Sequence, residues 1–353
     1  MNGRVTLKDI ATDINISRTS VHRALNGKEG VNEQLRERVL ARAEEMGYTA
    51  NYAASSLKRK AKRLAVVLPC KEGNGRFYHK YFWDSVEEYI PEASSLNTHI
   101  EFYSFDEESD EQIRVLQSLA NAKDTVNGLL TMVAQTNNDM RRVIERFSYS
   151  DIPVVLLDND LPETNRFCCV APHDNQIGRL GAEILTAMIP TDGKIIVAGG
   201  SLESASHGHN LKGFNEYISE SGRAFEVLVV HEYDSHERCY DQVSRLLNSH
   251  KDIRGYYAVT ARDTLPLCRA VNDSGLAGTL RGVGSDLHPE SAQLLKDNMV
   301  QALIYKNAYD KGRMGFRILF ERVIKNIMPE GDKITVPISV IMKSNLSSFE
   351  KFI

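Results

Sequence analysis

The sequence predicts an all-α three-helix headpiece followed by an α/β body of two doubly wound parallel-sheet lobes. Three observations carry this expectation. The first is charge. The chain has 353 residues and a formal net charge of -4, yet residues 1–63 hold 13 basic against 7 acidic side chains. That is a net of +6, while the remaining 290 residues hold 30 against 40, a net of -10. A small basic module attached to a larger acidic body follows. The second observation is helical periodicity with capping signals between residues 5 and 47. The third is a recurrence of short β-branched runs with helical patterns between them from Arg63 onward.

In the basic module, Thr6 is a good N-cap and Asp9 can complete a capping box. Leu7, Ile10, Ala11 and Ile14 then share one face of a first helix. Asn15 tolerates a left-handed backbone, and Ser17 caps the next helix. That second helix turns Val21, Ala24 and Leu25 inward and Arg18, Thr19, His22 and Arg23 outward. A third helix runs from about Glu33, with Leu35, Val39, Ala43 and Met46 inward, and stops at Gly47. Two short helices joined by a tight turn, the second presenting basic and hydroxyl side chains, have helix-turn-helix geometry.

In the body, Leu64–Leu68, His99–Tyr103, Gly128–Met132 and Val154–Leu157 form one set of predicted strands. Lys194–Ala198, Phe225–Val230, Tyr256–Val259 and Arg281–Gly284 form a second. Adjacent Cys168 and Cys169, in an apolar stretch, read as strand residues. Ligands of doubly wound sheets sit beyond the carboxyl ends of the strands. Two lobes facing each other across that edge make a cleft that can close on a small molecule.

Other classes are disfavoured. No apolar run approaches the ~20 residues of a membrane span, so no membrane partner is expected. Met1-Asn2-Gly3-Arg4 turns polar at once, without a secretory apolar region. The five cysteines are odd in number and form no CxxC pair, which fits reduced thiols and a cytoplasmic location. His207-Gly208-His209 could supply two metal ligands but has no third at a recognised spacing. Ser201 and Ser204 lie outside any G-x-S-x-G elbow. Gly199-Gly200 follows a strand without completing a phosphate-binding pattern. Neither an enzyme, a cofactor nor a metal is therefore expected.

Val5-Thr6-Leu7-Lys8-Asp9-Ile10-Ala11 and Ile16 through Asn26-Gly27 resemble the lactose-repressor (LacI/GalR) family of bacterial transcription factors. Val31 through Tyr48, with Asn51-Tyr52-Ala53-Ala54-Ser55-Ser56-Leu57, resembles that family's third helix and hinge. The likeness is dense over residues 5–65; the rest resembles the type I periplasmic-binding fold more loosely. Two positions depart from the pattern: Asn15 replaces a turn glycine and Ala50 a proline before the hinge.

The resemblance implies a helix-turn-helix DNA-binding domain over 1–49, a hinge over 50–62 and an effector-binding domain over 63–353. Within the last, it implies a first lobe of about 63–162 and 290–325 and a second of about 163–289 and 326–345. Arg18, Thr19 and Arg23 would face base edges. Ser17, Ser20, His22 and Asn26 would lie against phosphates of double-stranded DNA, with Thr6 at the DNA-facing start of the first helix. In the hinge, Asn51, Ala54 and Leu57 are spaced on one helical face, and Leu57 matches a leucine that wedges into the minor groove. Free of DNA the same stretch reads as a solvated linker. The basic cluster Lys58–Arg63 serves phosphate neutralisation either way.

The family pattern also points to Phe77, Phe82 and Trp83 as aromatics against the effector. It points to Asp158 with Asn159 at the end of the fourth strand, to Asp174 opening a DN…G segment, and to Asp286 as a binder of sugar hydroxyls. Each such Asp could instead cap the helix that follows. Asn210 stands where relatives usually carry Arg, Lys306 where many sugar-binding relatives carry Gln, and Arg262 within a departure from a common Asn-Asp pair. If Lys306 and Arg262 face the cleft, an anionic effector follows; as surface cations they carry no such meaning. The expected protein is a homodimeric regulator, a repressor by default, reading a pseudo-palindromic operator and answering to a sugar or sugar derivative. A solute-binding receptor sharing the two lobes is the rival, and residues 1–63 discriminate against it.

Overall fold

In the computed structural model the described residues are 5–25, 28–48, 60–107, 110–202, 204–231 and 235–353. The headpiece helices are α1 (Leu7–Asp13), α2 (Arg18–Leu25) and α3 (Glu33–Glu45). Thr6 and Asp9 close the expected capping box on α1. Asn15 takes the left-handed turn with φ 53°, and the Ser20 amide donates to Ser17 Oγ at 3.0 Å to start α2. Gly47 ends α3 with φ 67°. Ile10, Ala11, Val21, Ala24, Val39 and Ala43 form the core. So small a core is reinforced at its rim: Arg42 donates to both carboxylate oxygens of Asp13, at 2.6 and 2.8 Å. Arg38 donates to the Ile14 carbonyl at the end of α1.

The body contains two six-stranded sheets. The first holds β1 (Lys62–Pro69), β2 (Thr98–Phe105), β3 (Gly128–Met132), β4 (Val154–Leu157), β5 (Cys168–Ala171) and β11 (Lys333–Thr335). Its order is β11-β5-β4-β3-β1-β2, parallel throughout. The second holds β6 (Lys194–Ala198), β7 (Glu226–Val230), β8 (Ile253–Ala258), β9 (Arg281–Ser285), β10 (Ala302–Tyr305) and β12 (Ser339–Ile341). Its order is β12-β10-β9-β8-β6-β7, with β12 antiparallel. Each lobe buries one apolar cluster on either side of its sheet, as a doubly wound sheet requires. The eight predicted strands are all present within a few residues.

The lobe boundaries differ from expectation. Segment 163–171 belongs to the first lobe, because β5 pairs with β4 in the register Val155↔Cys168. Segment 290–305 belongs to the second, because α12 (Pro289–Lys296) leads into β10, which pairs with β9. The chain therefore crosses between lobes near 172, near 306 and again between β11 and β12. The second crossing delivers α13 (Ala308–Lys325) back to the first lobe, against β3, β4 and β5. A helical pattern cannot reveal which sheet a helix covers, so only the strand pairing placed these crossings.

Two glycines set a close helix contact beside the cleft. A Cβ on Gly178 of α8 (Asp174–Met188) would lie 1.8 Å from the Asn210 carbonyl oxygen of α9 (Ala205–Glu220). A Cβ on Gly213 would lie 2.0 Å from the Asn175 carbonyl oxygen. The two helix backbones touch, and this brings Asp174 and Asn210 to the same wall.

Candidate functional site

On the headpiece, Ser17, Arg18, Thr19 and Arg23 are exposed, and Ser20 and His22 half-buried. Val21 and Ala24 on the opposite face are buried. α2 therefore presents its basic and hydroxyl groups outward as one strip, free of the core. The Ser17 and Ser20 hydroxyls lie 2.9 Å apart. Thr6 Oγ1 donates to Asp9 Oδ2 at 2.7 Å, so its hydroxyl proton is engaged in the cap. Asn26, Asn51, Ala54 and Leu57 lie outside the described residues.

A cavity of about 410 Å³ opens between the lobes at the carboxyl ends of the strands, within the range of small-molecule sites. Of the residues singled out in the sequence, Phe77, Asp158, Asn159, Asp174, Asn210, Arg262 and Lys306 line it. Three do not. Phe82 and Trp83 fall on the buried side of α4 (His79–Glu87), inside the first lobe. Trp83 stacks on Phe102 at 5.5 Å and donates Nε1–H to the Pro69 carbonyl at 2.8 Å. Helical periodicity turns them away. A second aromatic beside Phe77 lines the cavity, Tyr78, and it was missed; its place between strand end and helix start was the available signal.

Asp286 is the third. It is buried behind the wall, with its Oδ1 accepting from the Lys306 amide at 2.9 Å and its Oδ2 2.9 Å from Lys306 Nζ. Asp158 plays the corresponding part in the first lobe. Each follows the fourth strand of its sheet, and each takes a left-handed backbone, φ 62° for Asp158 and φ 56° for Asp286, which Asp tolerates. Asp158 accepts from Tyr78 OH at 2.8 Å and from Lys311 Nζ. Lys311, from α13, is fully buried and also donates to the Tyr78 hydroxyl oxygen. The two ammonium groups lie 5.1 Å (Lys306) and 4.9 Å (Lys311) from the Tyr78 ring centre, so the ring has two cations close to it.

Burial, with the Asp158 charge second, raises the Asp174 carboxyl to about 7. Burial, with the Lys306 and Arg262 charges next, holds the His207 imidazole down to about 3. Asn210 is buried, and its Oδ1 accepts from Tyr257 OH at 2.9 Å. Across the mouth the lobes touch. Arg76 Nη2 lies 3.3 Å from Glu290, and Arg262 Nη1 lies 4.0 Å from Glu107, which also faces His79 at 3.5 Å. The Phe77 ring rests 4.8 Å from that of His288 in the second lobe.

The Asp174 shift gives a test with a definite sign. A carboxyl raised in the folded state stays protonated while the unfolded chain ionises, so stability falls as pH rises from about 4 to 7 and then levels. Asp174→Asn removes this loss: its melting temperature should exceed wild type at pH 8 and converge with it near pH 4. A constant offset across that range would contradict the assignment.

An outward basic strip on a helix-turn-helix headpiece, joined to a two-lobed body with a ligand-sized cleft, defines the class of ligand-controlled DNA-binding regulators. Comparison with known proteins agrees. Residues 6–51 match the bacterial regulatory proteins of the lacI family, and residues 66–326 match the periplasmic binding protein domain. The chain belongs to the lacI family of regulators, and it is a DNA-binding transcriptional regulator controlled by a small-molecule effector. Catabolite control protein A of Priestia megaterium is 22% identical over 321 residues, covering 89% of this chain and 91% of that one. The HTH-type transcriptional repressor PurR of Vibrio cholerae is 24% identical over 329 residues, covering 90% and 91%. Among solved structures, an ABC transporter solute-binding protein from Agrobacterium vitis bound with alpha-D-tagatopyranose superposes with a TM-score of 0.72 at 17% identity, covering 83% of this chain and 99% of that one. The glucose-galactose binding protein GanP from Geobacillus stearothermophilus reaches 0.68 at 22% identity, covering 82% and 99%. These likenesses establish the fold of the body. Among the described residues no helix is long and apolar enough to cross a membrane.

Proposed function

We propose that the protein is a cytoplasmic repressor that binds a pseudo-palindromic DNA operator as a homodimer and releases it when a small polyhydroxylated effector, a sugar or sugar derivative, enters the interlobe cavity. The observation that carries this reading is the cavity itself, lined from both lobes by hydroxyl, amide and carboxyl groups beside Tyr78. Such groups suit vicinal hydroxyls, and an aromatic face suits a sugar ring. Because both lobes contribute walls, a ligand there favours one lobe arrangement over another. Pairing follows from size: one short recognition helix offers few base contacts, and two related by symmetry read two half-sites. In this reading Arg18, Thr19 and Arg23 meet base edges, while Ser17, Ser20, His22 and Asn26 meet phosphates. The hinge residues Asn51, Ala54 and Leu57 enter the minor groove. The repressor sign is supported by the relatives named as repressors. No catalytic role is assigned to the cleft, since its lysines are internal counter-ions.

Selection of genomic fragments by the full-length chain tests this reading. Enrichment of a two-fold-related sequence is expected, with release by a neutral monosaccharide. Failure to enrich any sequence would overturn the regulator assignment, and enrichment of an unsymmetrical site would overturn the dimeric one.

A further inference from the structure

Lys306 and Arg262 line the cleft, which invites the expectation of an anionic ligand. The geometry points elsewhere. Lys306 is opposed by Asp286 at 2.9 Å, Lys311 by Asp158, and Arg262 faces Glu107 at 4.0 Å. Each cation near the cavity therefore has a carboxylate beside it. An incoming phosphate would have to compete with a partner already in place, and a displaced Asp286 or Asp158 would be left in a poorly solvated site.

His207 adds a second observation. It stands one helical turn before Asn210 on α9, and both line the cavity. The Ser201 amide donates to His207 Nδ1 at 3.1 Å. An N–H pointing at Nδ1 requires that nitrogen to be unprotonated, so the ring proton resides on Nε2. The ring is also held in place. A Cβ on Gly200 would lie 2.7 Å from Nδ1 and 2.8 Å from Thr260 Cγ2, and Gly200 has φ 69°, so the loop closes over the ring with no space to spare. The nearby Lys306 and Arg262 charges and burial both favour the neutral ring. Among the described residues, no hydrogen bond engages Nε2. Asn210 is similar: with Oδ1 committed to Tyr257 OH, its amide nitrogen is the group left to donate.

Resting on the ligand-controlled reading above, we propose that His207 is an effector-binding residue, whose Nε2–H donates to a hydroxyl oxygen of an uncharged sugar, and that the cleft selects against phosphorylated ligands. Asn210 supplies the second donor and Asp174 the opposing polar group. Recognition then uses fixed donors and no free cation, which rewards hydroxyl oxygens over phosphate oxygens.

Thermal shift and calorimetry on the full-length protein test this with D-glucose, D-galactose, D-arabinose, D-allose and D-glucose 6-phosphate as probes. A neutral sugar is expected to stabilise the wild type and the phosphate is not. His207→Ala should weaken the neutral sugar about tenfold or more, while His207→Gln, which can accept from Ser201 and still donate into the cavity, should retain most of the affinity. Stabilisation by the phosphate alone, no stabilisation by any neutral probe, or wild-type affinity in His207→Ala would each overturn the inference. The wild-type probe comparison decides charge selection even if a variant fails to fold. DNA binding measured in parallel separates the two readings. Operator release by the phosphate leaves the regulator intact and removes the His207 proposal, whereas absence of sequence-selective DNA binding removes the regulator reading itself.

Discussion

Lys311→Met is expected to lower the stability of the body by about 3–5 kcal/mol, the range for removing one partner of a buried ion pair. Lys311 is fully buried, bonded to both Asp158 and Tyr78, and its ammonium lies 5.3 Å from the Phe82 ring centre. Methionine fits the stem of the side chain and deletes only the charge. Asp158 then keeps the Tyr78 hydroxyl but loses its counter-ion in a site with little water. For lobes of this size the melting temperature of the body should fall by roughly 6–20 °C. Adding Asp158→Asn should restore much of the loss, because the uncompensated charge is the cause. If the single variant melts with the wild type in scanning calorimetry, the pair does not hold α13 to the end of β4.

With Arg23 against a base edge as proposed, Arg23→Ala is expected to leave the fold intact and to weaken specific operator binding by about 1–3 kcal/mol per half-site, roughly 5- to 150-fold. Arg23 is exposed at the end of α2, and its guanidinium reaches back to Gly30, where a Cβ would lie 3.0 Å from Nη1. The side chain makes no part of the headpiece core, so melting of the headpiece should be unchanged. Effector affinity should also be unchanged. Titrations of a selected operator and of random DNA separate the roles. A loss of equal size on both sequences means that Arg23 meets phosphate and not a base edge.

Much of this protein was legible in order along the chain. The headpiece was read nearly residue by residue, because its helices are short, capped by Thr6, Ser17 and Gly47, and packed against one another within a few turns. Local signals there are also the tertiary signals. The strands of the body were equally plain, since a strand buried on both faces has to be a short apolar run. The cleft was read less well. Asp158, Asp174, Asn210, Arg262 and Lys306 were singled out through the family resemblance, Lys306 and Arg262 with a surface position left open, and all five line the cavity. Phe82 and Trp83 do not, because one step into a helix rotates a side chain by about 100°, and after Tyr78 the chain is already helical.

The misplaced lobe boundaries and the misread role of Asp286 share a cause. Lys306 and Lys311 lie five residues apart, yet each pairs with an aspartate in a different lobe, 20 residues away for Asp286 and 153 for Asp158. Local sequence reports periodicity, caps and charge along the chain, and these set the class of fold, the basic end and the acidic body. Whether a lysine in the cleft is a free charge or a neutralised one depends on which carboxylate the sheet order brings beside it. Coulomb attraction in a desolvated site falls with distance in space and takes no account of separation along the chain.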